Sequence, residues 1–136
     1  PENAVLYYFA GVAAARTARG HIVDGEETDY LERAERMFSQ ALDLRSDYKD
    51  ALFAQAVLLA FDMDRPEEAL EYSQRLSEIE TGDPSVKFLH ANVLVRNGMI
   101  DEAIDVYDDL AENAPGTEQR ATARENRDRL MEEYSR

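Results

Sequence analysis

Few residues in this chain have the chemistry of catalysis or of metal binding. There is no cysteine, which excludes disulfides, thiolate metal sites and cysteine nucleophiles. The two histidines, His21 and His90, lie 69 residues apart, so a solvated or packed imidazole is favoured over a metal ligand. Glycine-rich phosphate loops and nucleophile elbows do not occur. We therefore expect no enzyme activity, no cofactor and no bound metal.

Two acidic stretches have some features of calcium sites. Asp62 and Asp64 are spaced like the first ligands of a calcium loop, but Pro66 follows them, and the glycine and closing glutamate of such a loop are missing. Residues 24–27 form a denser cluster, with three acids around one glycine. We interpret the first stretch as a helix-ending loop and the second as a surface loop.

Composition restricts the class of partner. The chain has 136 residues, of which 44% are hydrophobic, and this fits one domain with a continuous core. Its 29 acidic residues against 15 lysines and arginines give a net charge of −14, which repels nucleic acid and anionic membranes. The absence of a run of about 18 apolar residues argues against membrane insertion. We expect a protein or peptide partner of basic or apolar character.

The sequence is compatible with two cellular locations. No signal peptide is visible ahead of Pro1, which favours a cytoplasmic location. A periplasmic location is compatible with the loss of a leader.

The elements that position these residues are helices. Apolar residues recur at spacings of three and four, and no alternating β-branched stretch is long enough for a strand. Pro66 suits a first helical turn, Asn97-Gly98 a helix end, and Thr117 an N-cap. The pattern predicts seven helices, at about residues 3–19, 29–45, 48–61, 65–79, 84–96, 101–112 and 117–134. The first six form pairs, and the seventh is left over.

Three alanines recur at an almost constant interval. Ala34, Ala69 and Ala103 are separated by 35 and 34 residues, and Phe38 and Tyr107 follow the first and the third by four positions. Paired helices with a period of about 34 residues are typical of solenoids, in which each unit leaves an apolar face for its neighbour to cover. The sequence therefore predicts an all-α, right-handed α-solenoid of antiparallel helix pairs.

These residues resemble the tetratricopeptide repeat (TPR) family. In the third unit the family's small residue, turn, signature alanine, aromatic residue and closing proline are Ala91, Asn97-Gly98, Ala103, Tyr107 and Pro115. The second unit has Ser73 where the aromatic residue belongs, and the first has about eleven extra residues between Gly11 and Ala34. An unrelated helical bundle or solenoid with a similar period is the alternative.

The resemblance implies one TPR-like domain over residues 1–136. Its parts are repeat 1 at about 3–46 with an inserted loop at 20–28, repeat 2 at about 48–82, repeat 3 at about 84–115, and a capping helix at about 117–134. Glu125 stands where a fourth small residue would be, as expected of a polar-faced cap.

In this family the first helix of each unit lines a concave surface that contacts ligands. The groove positions can be transferred to this chain by their distance from the small residue of each unit. The resemblance then implies a peptide- or protein-binding groove formed by Tyr8, Val12, Arg16, Ala54, Leu58, Phe61, Asp62, Phe88, Asn92, Val95 and Arg96. Aromatic residues at this spacing are equally expected in the core, and arginines are more often solvated or ion-paired. Only Asn92 and Arg96 match the set with which co-chaperone relatives hold a C-terminal carboxylate, so we expect no such clamp.

The leading hypothesis is a scaffold or adaptor that binds a peptide or protein segment in an apolar concave groove. The alternatives are a self-assembly module that forms homo-oligomers, or a regulatory helical arm of a larger protein. The sequence names no partner.

Overall fold

The computed structural model describes residues 3–20 and 25–134 of the chain. This part of the chain contains helices and no strand, which confirms the predicted all-α solenoid. The helices are α1 (Ala4–Arg19), α2 (Glu27–Leu44), α3 (Lys49–Val57), α4 (Pro66–Ile79), α5 (Pro84–Arg96), α6 (Ile100–Asn113) and α7 (Thr117–Tyr134). A π-helical turn, Leu58–Asp62, continues α3.

Local chemistry explains most of the helix ends. The Asn3 side chain accepts a hydrogen bond from the backbone N–H of Val5 at 2.9 Å, and Asp83 does the same for Ser85, so both residues satisfy free donors at a helix start. Gly98 adopts a positive φ of 75° after α5, where glycine has no steric cost. Helix α2 begins at Glu27, two residues earlier than predicted. Most of the predicted inserted loop, residues 21–24, lies outside the described residues.

Small residues allow the helices of each pair to pack closely. The signature alanines Ala34, Ala69 and Ala103 are fully buried. Gly11 of α1 lies directly against the ring of Phe38 on α2. Helices α1, α3, α5 and α7 lie on one side of the solenoid, and we call the surface that they form the odd-helix face.

The π-helical turn changes which residues reach that face. The N–H of Met63 donates to the carbonyl oxygen of Leu58 at 2.9 Å, an i to i+5 bond that places one extra residue in the turn. Phe53 and Ala56 therefore correspond to Phe88 and Ala91, 35 residues later instead of 34.

The predicted groove position of Leu58 is therefore wrong, because its side chain is fully buried with the core cluster that includes Phe38. The offset used for the prediction left no room for the extra residue of the π-helical turn.

An arginine before α4 links two repeats. Arg65 donates two hydrogen bonds to the carboxylate of Glu35 on α2, at 2.8 and 2.9 Å, and two to Glu68 on α4. The hydrogen bonds from Arg65 lower the pKa of Glu68. The bidentate geometry fixes the orientation of α4 relative to α2.

We predict that Gly11→Ala lowers the free energy of unfolding by about 1–3 kcal/mol, because the added methyl group overpacks the contact with α2. An ideal Cβ at position 11 would lie 2.5 Å from Cε1 of Phe38. At a helical position with free space, Gly→Ala raises the free energy of unfolding by about 0.5–1 kcal/mol. The sign of the measured change therefore shows whether the site is overpacked. Urea denaturation followed by circular dichroism measures it.

The matched control is Gly82→Ala, since a Cβ at Gly82 would have no neighbour within 4 Å. We expect this control to unfold close to the wild type. An unchanged or raised urea midpoint for Gly11→Ala would contradict the packing account.

Candidate functional site

The first depression on the odd-helix face lies between α1 and α3. It has a volume of about 270 Å³ and is lined by Val12, Ala15, Arg16, Arg19, Phe38, Phe53, Ala54 and Val57. Val12, Arg16 and Ala54 belong to the predicted groove. Phe53 and Val57 do not, and an alignment that allowed one extra residue in the second repeat would have matched Phe53 with Phe88.

The arginines of α1 and α5 reach the odd-helix face, and they differ in their partners. Arg19 pairs with the carboxylate of Asp62, with its Nε 3.1 Å from Oδ1, and this pairing raises the pKa of Arg19. The guanidinium of Arg96 lies 4.5 Å from the centroid of the Phe61 ring, within range of a cation–π contact. Arg16 is exposed and forms no hydrogen bond or ion pair with any residue that the structure describes.

Two predicted groove residues thus contact arginines of the same face. Asp62 neutralises Arg19, and Phe61 supports the guanidinium of Arg96 while remaining partly exposed itself. Of the two arginines that line the depression between α1 and α3, Arg19 pairs with a carboxylate, whereas Arg16 has no carboxylate partner among the described residues.

The second depression lies between α5 and α7. Its volume is about 230 Å³, and its lining consists of Asn92, Val95, Tyr107, Asn126, Arg129, Leu130 and Glu133. Asn92 accepts a hydrogen bond from the hydroxyl of Tyr107 at 2.6 Å, and its amide nitrogen has no partner among the described residues. Burial raises the pKa of Tyr107, so this hydroxyl remains a donor at neutral pH. The sequence prediction misses Asn126 and Arg129 because it interprets the seventh helix only as a cap.

The remaining aromatic positions belong partly to the core. Tyr8 is half-buried and packs against Phe38 and Tyr48, with ring centroids 6.0 and 5.3 Å away. Phe88 packs against Tyr107 at 6.2 Å. Both rings are therefore partly buried against other aromatic rings.

The two acidic positions that resembled the first ligands of a calcium loop have structural roles. Asp62 pairs with Arg19, and Asp64 adopts a positive φ of 53° in the turn before α4. His21 and Asp24 lie outside the described residues. Within the described ranges, no three His, Asp or Glu side chains are grouped to hold a metal ion, and no helix is long and apolar enough to cross a membrane.

His90 illustrates how a polar residue is accommodated between repeats. It is half-buried on α5, and its Nδ1 lies 2.9 Å from Oγ of Ser73 on α4. Burial lowers the pKa of His90, and the nearby carboxylates of Glu102 and Glu78 oppose this effect only in part. The serine that replaces the expected aromatic residue of repeat 2 thus pairs with a histidine.

A family model described as "Tetratricopeptide repeat" matches residues 60–126. This match and the fold support the tetratricopeptide repeat family for this chain. The TPR fold is a scaffold for protein–protein interaction, and TPR proteins are typically not enzymes. A search of curated proteins gives no match.

Solved TPR structures have the same architecture. A thermophilic TPR protein of Thermus thermophilus aligns with a TM-score of 0.74 at 18% identity, over 95% of this chain and 64% of that one. YrrB, a TPR protein described as having an unusual peptide-binding site, aligns with a TM-score of 0.69 at 25% identity, over 95% and 64%. A D159K mutant of MamA aligns with a TM-score of 0.55 at 16% identity, over 96% of this chain and 91% of that one. The chain thus spans less than two thirds of the length of the first two structures.

We predict that His90 makes the stability of the TPR domain fall as the pH is lowered through about 6.5, the ordinary pKa of histidine. Because the folded-state pKa is depressed, the unfolded chain binds the proton first, and stability present above that pH is lost below it. The loss for one proton cannot exceed about 1.4 kcal/mol per pH unit. Urea unfolding of the wild type and of His90→Gln at pH 7.5 and 5.5 measures the effect.

The difference between the two proteins isolates His90, because all other titrating groups are shared. The wild type should lose more stability between the two pH values than His90→Gln. Parallel losses in the two proteins would refute the prediction.

Proposed function

We propose that this TPR domain is an adaptor that holds a segment of a partner protein on its odd-helix face, with an acidic residue of the partner beside Arg16. The observation that carries the proposal is the uncompensated charge of Arg16 in a chain of net charge −14. Arg16 can attract a carboxylate of the partner locally, while the negative net charge of the whole chain disfavours a highly acidic partner.

The net charge alone pointed to basic or apolar partners. The distribution of charge on this face favours a segment that combines apolar residues with one acid. Arg19 is already neutralised by Asp62, so a single carboxylate is enough to complement the depression between α1 and α3.

The apolar lining gives such a segment an anchor. Phe53, Ala54 and Val57 are half-buried on the wall opposite Arg16, so each can bury further apolar area against a ligand. A volume of about 270 Å³ accommodates one or two side chains, so we propose that a Leu- or Phe-sized residue of the partner enters it.

Asn92 adds a contact of a different kind. Its carbonyl oxygen is occupied by Tyr107, which leaves the amide N–H groups for a backbone carbonyl of the partner. The description of YrrB as having a peptide-binding site supports a peptide ligand, although that site belongs to a protein only 25% identical to this chain.

We expect a displayed peptide library selected on the immobilised domain to enrich sequences with an Asp or Glu next to a large apolar residue. Affinity for an enriched peptide should fall at least about tenfold with Arg16→Glu, because the reversed charge repels the carboxylate. The matched control is Arg36→Glu, an equal change of charge at an exposed position of α2, which should leave the affinity unchanged. Fluorescence anisotropy measures both.

Val57→Asn tests the apolar wall, with Ile79→Asn on α4 as its control, and circular dichroism confirms that each variant is folded. Enriched peptides without an acid, or equal losses for Arg16→Glu and Arg36→Glu, would overturn the proposal. A dimer in light scattering that Arg16→Glu dissociates would replace the adaptor by a self-assembly module.

A further inference from the structure

The depression between α5 and α7 contains polar residues of α7 that the adaptor function has not yet used. Its α7 residues, Asn126, Arg129, Leu130 and Glu133, lie at spacings of three and four and therefore on one side of the helix. Leu130 is buried in a core cluster with residues of α6, which fixes that side of α7 against the solenoid. The polar residues beside Leu130 are thus held at the depression.

Hydrogen bonds within the depression occupy the oxygens of both asparagine side chains. The hydroxyl of Tyr107 donates to Oδ1 of Asn92 at 2.6 Å, and the guanidinium of Arg129 donates to Oδ1 of Asn126. Burial raises the pKa of Tyr107, and a hydrogen bond from the Asn126 side chain opposes this effect in part. Because both amide oxygens already have a donor, the amide groups have N–H donors left to offer a ligand.

Arg129 supplies a positive charge at the same place. It is exposed, it forms no ion pair with a described carboxylate, and its hydrogen bond to Asn126 uses one of its five N–H donors. Glu133 also lines the depression, one turn further along α7, but it does not pair with Arg129. The free N–H groups of Asn92 and Arg129 therefore suit a ligand that presents a carbonyl oxygen and a carboxylate.

We propose that the depression between α5 and α7 binds a second acidic residue of the partner segment, with its carboxylate on Arg129 and a backbone carbonyl of the segment on Asn92. This second acid site rests on the proposed adaptor function, in which Asn92 contacts the partner's backbone. Val95 is half-buried in the same lining and can contact the methylene groups of an aspartate or glutamate. Helix α7, which the sequence predicts only as a cap, then takes part in recognition.

Tyr107 is a positioning residue for this site. It is only 2% exposed, and its hydroxyl holds the oxygen of Asn92 in place. Without this donor the Asn92 amide can rotate and turn its oxygen toward the ligand, where it repels a carbonyl or a carboxylate.

The test uses the intact ¹⁵N-labelled chain and the acetylated, amidated pentapeptide Ala-Leu-Glu-Leu-Ala. Nuclear magnetic resonance records the side-chain N–H signals of Asn92, Arg129 and Arg16 separately, so each site is measured directly. We expect the peptide to shift the Asn92 and Arg129 signals saturably. The same peptide with Gln in place of Glu should bind this site at least about fivefold more weakly, because it lacks the charge.

Variants of the chain assign the effect to named residues. Arg129→Gln should weaken binding of the Glu peptide, measured at Asn92, at least about fivefold. The matched control, Arg124→Gln, removes an exposed arginine of α7 that does not line the depression, and it should bind like the wild type. Glu133→Gln should bind more tightly, because it removes a like charge from the lining.

Tyr107→Phe tests the positioning role. We expect it to move the Asn92 side-chain signals even without peptide and to reduce the preference for the Glu peptide over the Gln peptide. A variant that is merely less stable lowers the melting temperature and leaves this preference unchanged, and that outcome would refute the positioning role.

Equal binding of the Glu and Gln peptides, or equal affinities of Arg129→Gln and Arg124→Gln, would overturn the second acid site. A Gln peptide with a free C-terminal carboxylate that binds as well as the amidated Glu peptide would assign the site to a chain end and would also overturn it. If the Arg16 signals shift and those of Asn92 and Arg129 do not, the adaptor function stands and only the second acid site is refuted. The reverse pattern would support this site and refute Arg16 as the acid contact.

Discussion

The contact between Gly11 and Phe38 shows the constraint on which the structure depends. Each repeat places a small residue of its first helix against the second helix, and at Gly11 the aromatic ring leaves no room for one methyl group. Because the interior is packed to crystal-like density, this contact sets the distance between the paired helices. Phe38 also lines the depression between α1 and α3. The ring that positions α1 against α2 therefore also shapes a depression on the odd-helix face.

Acidic and basic residues are distributed unequally between the even-numbered and the odd-numbered helices. This distribution affects both how the helices pack and what the odd-helix face attracts. The even-numbered helices are acidic, whereas α1 and α5 are cationic, so the stacking of alternate helices places opposite charges next to each other. Individual surface ion pairs contribute little, with a median of about 0–1 kcal/mol. The distribution of charged residues also concentrates arginines on the odd-helix face, although the total charge of the chain is strongly negative. Net charge is therefore a poor guide to what this face attracts.

The helices and the repeat were predictable from sequence because they depend on local spacing and on small residues at fixed positions. Helix boundaries agree to within a few residues, and the signature alanines are buried as expected. The position of Leu58 was missed because the offset left out one residue, although the sequence shows 13 residues from Ala56 to Ala69 and 12 from Ala91 to Ala103. The ion-pair partner of each arginine could not be predicted from local sequence. Arg19 and Asp62 are 43 residues apart in sequence, and only the fold reveals that they pair while Arg16 does not.

The two ends of the solenoid differ in the surface that they present. Helix α7 covers α6 with Ala123 and Leu130, and its exposed positions include Glu125 and Asp128, which water solvates well. At the other end, Leu6 and Phe9 face outward from a helix stretch without charge. In a solenoid each unit interacts only with its neighbours, so the energetic need for a neighbour is local to each end. The polar positions of α7 are compatible with solvent, whereas Leu6 and Phe9 of α1 leave apolar area exposed among the described residues. Leaving that area in water is unfavourable, so the described residues satisfy the α1 end less well than the α7 end.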